Sequence, residues 1–258
     1  MERPEYIDCH AHLNFPDYDR DREEVIEGTL KSTWVVNVGT NRETSEEVVE
    51  LTKHEGMYAV IGTHPTETEE FDKEFYLNLA ENKKVVGIGE VGLDYFRLKE
   101  DTKEKQRELF IKHIELANGL KKPLMLHLRS SQGDTESYQD ALKILKRYAK
   151  VPGNAHFFAG SIEDAKGFLD LGYNLSFTGV ITFTQDYDEL VRYVPLGSIL
   201  SETDAPYVAP APYRGQRNEP RRVKEVIKSL ARIKGLDLED VRKRVLDNAI
   251  SFFGLVPF

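Results

Sequence analysis

The sequence predicts an α/β protein folded as a single (β/α)8 barrel, on three observations. Short β-branched runs alternate with longer helix-patterned stretches, eight such units follow one another, and unusual polar residues gather at the C-terminal ends of the runs. Alternation implies a parallel sheet. Periodicity alone does not separate a closed barrel from a doubly wound sheet. The polar residues decide it, because barrel enzymes build their sites where strands end. The length suits one barrel, and no linker, repeat or low-complexity tract divides it, so residues 1–258 read as one domain.

The strands are expected at Glu5–Cys9, Trp34–Val38, Tyr58–Gly62, Val85–Glu90, Leu124–Leu128, Asn154–Phe158, Asn174–Thr178 and Ser198–Thr203. Helices are expected at Arg20–Lys31, Thr44–His54, Lys103–Gly119, Tyr138–Tyr148, Asp164–Leu171 and Asp186–Tyr193, with Pro220–Ile233 and Leu238–Asn248 after the eighth strand. Phe110, Ile111, Ile114 and Ala117 show the three- and four-residue spacing of one helix face. Asp237, with Asp240 three residues on, resembles a helix start.

Composition narrows the function. At 40% hydrophobic and 31% charged it is ordinary for a soluble protein, and no apolar run approaches the roughly 18–20 residues of a membrane span. The N-terminus lacks the zones of a signal peptide, and the lone Cys9 cannot form an internal disulfide. A cytoplasmic location without membrane association is therefore expected, and no obligatory protein partner is evident. The net charge of −9 argues against a general salt-driven grip on nucleic acid. It leaves room for an enzyme acting on a nucleic-acid end, where bound divalent ions and a local arginine cluster supply positive charge.

Asp8-Cys9-His10-Ala11-His12 ends the first strand. Residues two apart share a face, so His10 and His12 point together, suited to chelation, while Cys9 faces the helices. Glu90 closes a Gly-rich apolar strand, where a buried carboxylate needs cations or an arginine beside it. His127 and His156 stand among apolar neighbours at the next two strand ends, and Asp204 precedes Ala205-Pro206 after the eighth. Alone, most of these are better explained as packing. Together they bring four histidines and two acids from five strand ends to one rim. Such a mixed set accepts Zn, Mn or Mg, with Mn and Zn favoured by the imidazoles. His54 and His113 fall in helix patterns and are expected in solvent; His64 faces the ligands' end as a substrate contact or supporting group.

The chain resembles the TatD family of metal-dependent deoxyribonucleases over essentially its full length. The resemblance rests on residues 8–13, Gly62-Thr63-His64-Pro65, Gly87 through Tyr95, His127-Leu128-Arg129, residues 156–161, Glu202 through Tyr207, and residues 214–220. It implies a TIM barrel with two divalent ions: His10, His12 and Asp204 on one, His127 and His156 on the other, and Glu90 bridging. The family usually has Cys after the sixth-strand histidine, where this chain has Phe157; that Cys is not a ligand. Activity on DNA, often trimming from the 3′ end, is implied as well, although some TatD-like proteins act as deacylases on mischarged tRNA.

The expected mechanism sets two ions about 3.5–4 Å apart, which activate a water and clamp a phosphodiester oxygen. Glu90 and Asp204 are its catalytic carboxylates, with Asp204 orienting the water or accepting its proton. Arg129, Arg214 and Arg217, with His64, are the expected substrate contacts, within a local basic patch that adds Arg221, Arg222 and Lys224 against Glu219. Single-stranded DNA or 3′ ends are the expected partner. Tyr95, Phe96, Phe157, Phe158 and Tyr207 lie just past ligand-bearing strands, as stacking surfaces or as packing. A competing reading uses the same centre on an ester or amide, in a small molecule or an aminoacyl-tRNA. Many such barrels bridge their metals with a carbamylated Lys, and the fourth strand here offers Glu90 instead. A third reading, metals in a purely structural role, conflicts with the complete ligand set.

Overall fold

The computed structural model describes residues 3–67, 69–97, 102–131 and 133–255. Eight parallel strands follow in sequence order around one sheet: β1 (Tyr6–Ala11), β2 (Thr33–Val38), β3 (Met57–Ile61), β4 (Val85–Asp94), β5 (Leu124–Arg129), β6 (Gly153–Ala155), β7 (Asn174–Phe177) and β8 (Ile199–Ser201). The helices α1 (Arg22–Leu30), α2 (Arg42–Leu51), α3 (Lys73–Leu79), α4 (Lys103–Leu120), α5 (Glu136–Tyr148), α6 (Ile162–Asp170) and α7 (Asp188–Tyr193) fill the connections. After β8, a 3-10 turn at Pro220–Arg222 leads into α8 (Val223–Lys234) and α9 (Leu238–Phe253). The barrel expected from the sequence is the one observed.

Most starts follow local chemistry. Asn41 and Ser161 form capping boxes at α2 and α6, and the Asp237 side chain accepts from the Glu239 and Asp240 amides at α9. The helix α3 is absent from the sequence-based expectation, being only seven residues long; its signal is the Asp72 side chain, which caps the Phe75 amide. Strands β6 and β8 are shorter than expected, because the chain turns out of the ladder before Phe157 (φ 44°) and Asp204 (φ 54°).

Cys9 and Ile7 pack with Leu246, Ala249 and Phe253 of α9, the helix-facing side expected for Cys9. The seam between β8 and β1 is held by a bridge at Ala11 and Ala205, with the His12 amide donating to Ala205 O (2.8 Å) and the Asp204 amide to His10 O (2.9 Å). Closure therefore runs through the backbone of candidate metal ligands. Among the described residues, no helix is long and apolar enough to cross a membrane.

Candidate metal centre at the barrel mouth

The first strand ends with two imidazoles set edge-on (77°), His10 Nε2 lying 3.1 Å from His12 Nε2. The other nitrogen of His12 settles its tautomer. Nδ1 lies 2.8 Å from Val38 O, a pure acceptor, so Nδ1 carries the proton and Nε2 presents a lone pair to the mouth.

Across the barrel, the two oxygens of Glu90 look opposite ways. Oε1 lies 2.6 Å from His127 Nδ1 and 2.8 Å from His156 Nε2. Oε2 lies 3.5 Å from His10 Nε2 and 3.8 Å from His12 Nε2. Asp204 Oδ1 completes the β1 side, 3.6 Å from His12 Nε2 and 3.9 Å from His10 Nε2. Burial pushes the Glu90 carboxyl up, but His156 and hydrogen bonds from His10 and His127 hold it well below the usual range. The same contest leaves Asp204 lowered, through His12 and His10. Burial opposes the proton on His156 and His127; Glu90 and Glu202 raise the first, Asp94 and Glu90 the second.

A further layer of carboxylates fixes these rings, a role the sequence reading did not assign. Asp94 Oδ2 faces His127 Nε2 at 3.1 Å. Glu202 stands 3.5 Å from His156 Nδ1, accepting from the Phe157 amide (2.6 Å) and the Ser176 hydroxyl (2.7 Å). Asp8 reaches across the seam to the Thr203 amide and hydroxyl. All three acids are fully buried within motif segments, and that burial is the signal the sequence withholds. Gly92 is required beside His127: its φ is +141°, and a Cβ there would meet His127 O at 2.2 Å.

His64 joins Glu90 and His127 in one group of potential ligands. Its Nδ1 accepts from the Thr66 amide (3.2 Å), so the neutral ring carries its proton on Nε2, 3.8 Å from Glu90 Oε1. Burial, then His127, pushes its pKa down to about 3, so His64 offers a donor to the mouth rather than a lone pair. His113 departs from expectation: it is fully buried, with Nδ1 donating to Leu109 O (2.9 Å) and Nε2 accepting from the Thr63 amide (3.2 Å). It braces the loop that carries His64. His54, also expected in solvent, is half-buried just past α2.

The expected arginines divide. Arg129 ends β5 with its guanidinium 4.1 Å from the Phe96 ring centroid, and Arg214 lies 3.8 Å from that of Phe183. Arg217 is committed elsewhere, to both oxygens of Asp21 at 2.7 Å and to Asp17 O at 2.8 Å. Arg221 pairs with Glu219 at 2.6 Å, and Arg222 is buried against Arg217 O. Much of the expected basic patch is thus an internal clasp holding the segment after β8 onto α1. Of the aromatics, Tyr95 and Phe158 are buried and Phe157 half-buried, while Phe96 and Tyr207 are exposed.

The donors fit divalent cations. His10 with Glu90 and His156, and His10 with His12 and Asp204, each converge within 4.8 Å. Tetrahedral bonds of about 2.0–2.1 Å place neighbouring donors about 3.3 Å apart, close to the 3.1 Å between His10 and His12. His10 and His156 stack at 3.9 Å, so His156 lies nearer the β1 histidines than the two-and-two division implies.

A sequence model of the family described as TatD related DNase matches residues 7–254. Metal-dependent hydrolase YabD of Bacillus subtilis is 37% identical, the match covering 96% of this chain and 98% of that protein. Human deoxyribonuclease TATDN3 is 30% identical, with 96% and 94% covered. The crystal structure of YjjV, a TatD homologue from Escherichia coli, superposes with a TM-score of 0.85 at 27% identity, covering 98% of this chain and 99% of that one. With the fold, the donor set and the full-length matches in agreement, the chain belongs to the TatD family of metal-dependent hydrolases.

Proposed function

We propose that this hydrolase cleaves phosphodiester bonds in DNA, at single strands or 3′ ends, and that Glu90, with His10, His12, His127, His156 and Asp204, would hold two divalent ions (Mn, Zn or Mg). The observation that carries the reading is the two-sided Glu90 carboxylate, one oxygen toward His127 and His156 and the other toward His10 and His12. A phosphodiester offers two non-bridging oxygens that suit a paired cation site, and the matching family is described as TatD related DNase. When bound, the ions supply Lewis acidity toward a phosphoryl oxygen and lower the pKa of a water.

The chain's own groups do the rest. Asp204, held ionised by His12 and His10 against its burial, orients the attacking water and accepts its proton. The Nε2–H of His64 donates to a non-bridging oxygen, and Arg129 offers charged donors at the rim. Glu90, ionised near neutral pH and with its two oxygens turned to the histidines on either side, fixes negative charge between the two sides.

The test is one preparation, stripped of metal and reloaded with Mn, assayed against single-stranded DNA, a carboxyl ester, an amide and an aminoacyl-tRNA. The expected result is hydrolysis of DNA above the others, lost by at least about a hundredfold in Asp204→Asn and His127→Ala. Preference for the ester or amide contradicts the reading.

A further inference from the structure

Two large rings at the mouth stay in solvent where packing does not require it. Phe96, just past β4, is 53% exposed and Tyr207, past β8, is 52% exposed. The strand order places the β4–β5 and β8–β1 sides opposite each other, with the candidate ligands between them. Phe96 is backed by Arg129, which makes no ion pair with any described residue. Tyr207 leans edge-on against Phe15 (6.3 Å, 69°), which lies flat on the His12 ring (4.5 Å, 8°).

Both rings are anchored to the groups that hold the donors. The Phe96 amide donates to Asp94 Oδ1 (3.0 Å), and the other Asp94 oxygen faces His127. The Tyr207 amide donates to Asp204 O (2.9 Å), and Tyr207 O accepts from Asn218 Nδ2 (2.8 Å). Each backbone is thus fixed relative to the centre, which lowers the ordering cost of binding.

We propose that Phe96 with Arg129, and Tyr207 with Phe15, are two stacking subsites that take the unpaired bases on either side of the phosphodiester being cut. This rests on the DNA-hydrolysing reading above. A planar ring open to solvent accepts the face of any base, so the pair selects unpaired strands with little sequence preference. Duplex bases already stack on one another, and a paired end must fray to reach both rings. The Arg129 guanidinium, stacked on Phe96, keeps its edge for the flanking phosphate.

The test uses the Mn-loaded enzyme and an oligothymidylate with one cleavable linkage, compared with the same strand made abasic on one side or the other. Each missing base is expected to lower kcat/KM about ten- to a hundredfold. Phe96→Ala and Tyr207→Ala should each reproduce one of those losses on the intact strand and be indifferent to the matching abasic substitution. Tyr207→Phe should keep the wild-type rate within about twofold, as stacking survives. Tyr193→Ala, removing an exposed ring at the opposite end of the barrel, should change nothing. A 2-aminopurine at either flanking position should be quenched on binding to wild type and not to the matching variant. Intact and abasic strands cut equally, or alanine variants as active as wild type, overturn the subsites while the DNA reading stands. No cleavage of any strand, with ester or amide hydrolysed instead, removes both.

Discussion

The seven histidines of this chain sort by what their ring nitrogens face. His12 is held by Val38 O with its lone pair toward the mouth, His64 by the Thr66 amide with its proton toward the mouth, and His113 is engaged on both sides. The His-x-His pattern and the strand-end positions made the donor set legible in the sequence. The burial of His113 was not, since its Thr63 partner is 50 residues away and its helix carries polar residues on either side. Burial, opposed by the Leu109 bond, lowers the His113 pKa from 6.5 to about 4. The unfolded chain takes up this proton first, so the contribution to stability is full above about pH 6.5 and lost as pH falls toward about 4, worth about 3 kcal/mol. His113→Leu should flatten the pH dependence of unfolding in that window relative to wild type, as measured by urea titration; an unchanged slope rejects the neutral, doubly bonded ring. Glu202→Gln tests the carboxylate behind His156: metal affinity by calorimetry should fall about 10–100-fold, and an unchanged affinity denies it a positioning role.

At the scale of elements, periodicity revealed all eight strands and most helices, but it could not place their ends. The chain leaves β6 and β8 at non-glycine residues of positive φ, Phe157 and Asp204, a backbone form that residue type alone does not announce. Both are tied to the site, Phe157 by Glu202 and Asp204 by His10, as expected of strain kept at a functional position. Strand β4 ran further than expected, to Asp94, and Gly92 is what lets it pass His127 closely. Gly92→Ala should cost about 2–4 kcal/mol in denaturant unfolding and weaken metal binding, because β4 and β5 must part at a ligand. Gly119→Ala, in α4 with nothing within 4 Å of the added carbon, should leave stability unchanged or raise it by up to about 1 kcal/mol. Equal effects at the two sites contradict the close-approach argument.

For the whole molecule, the β1–β8 seam joins closure of the barrel to the site. Asp8, Thr203, Ala205 and the backbones of the candidate ligands His10 and Asp204 span it, so an ion held by His10, His12 and Asp204 would bind both edges at once. The Arg217–Asp21 clasp does the same further out, across 196 residues of sequence, which is why a run of arginines read as a binding patch instead. A ligand present at a hundred times its Kd stabilises the folded state by about 2.7 kcal/mol, so saturating Mn should raise Tm by roughly 5–10 °C over the chelator-treated protein. Calorimetry that shows no shift contradicts the coupling of site and seam. Whether two ions share Glu90 in one hydrolytic site is read out by adding Mn stepwise to metal-free protein while counting bound metal and following phosphodiester hydrolysis. Two ions per chain are expected, with the rate rising as the second binds. Full activity with one ion bound, or none with two, contradicts it.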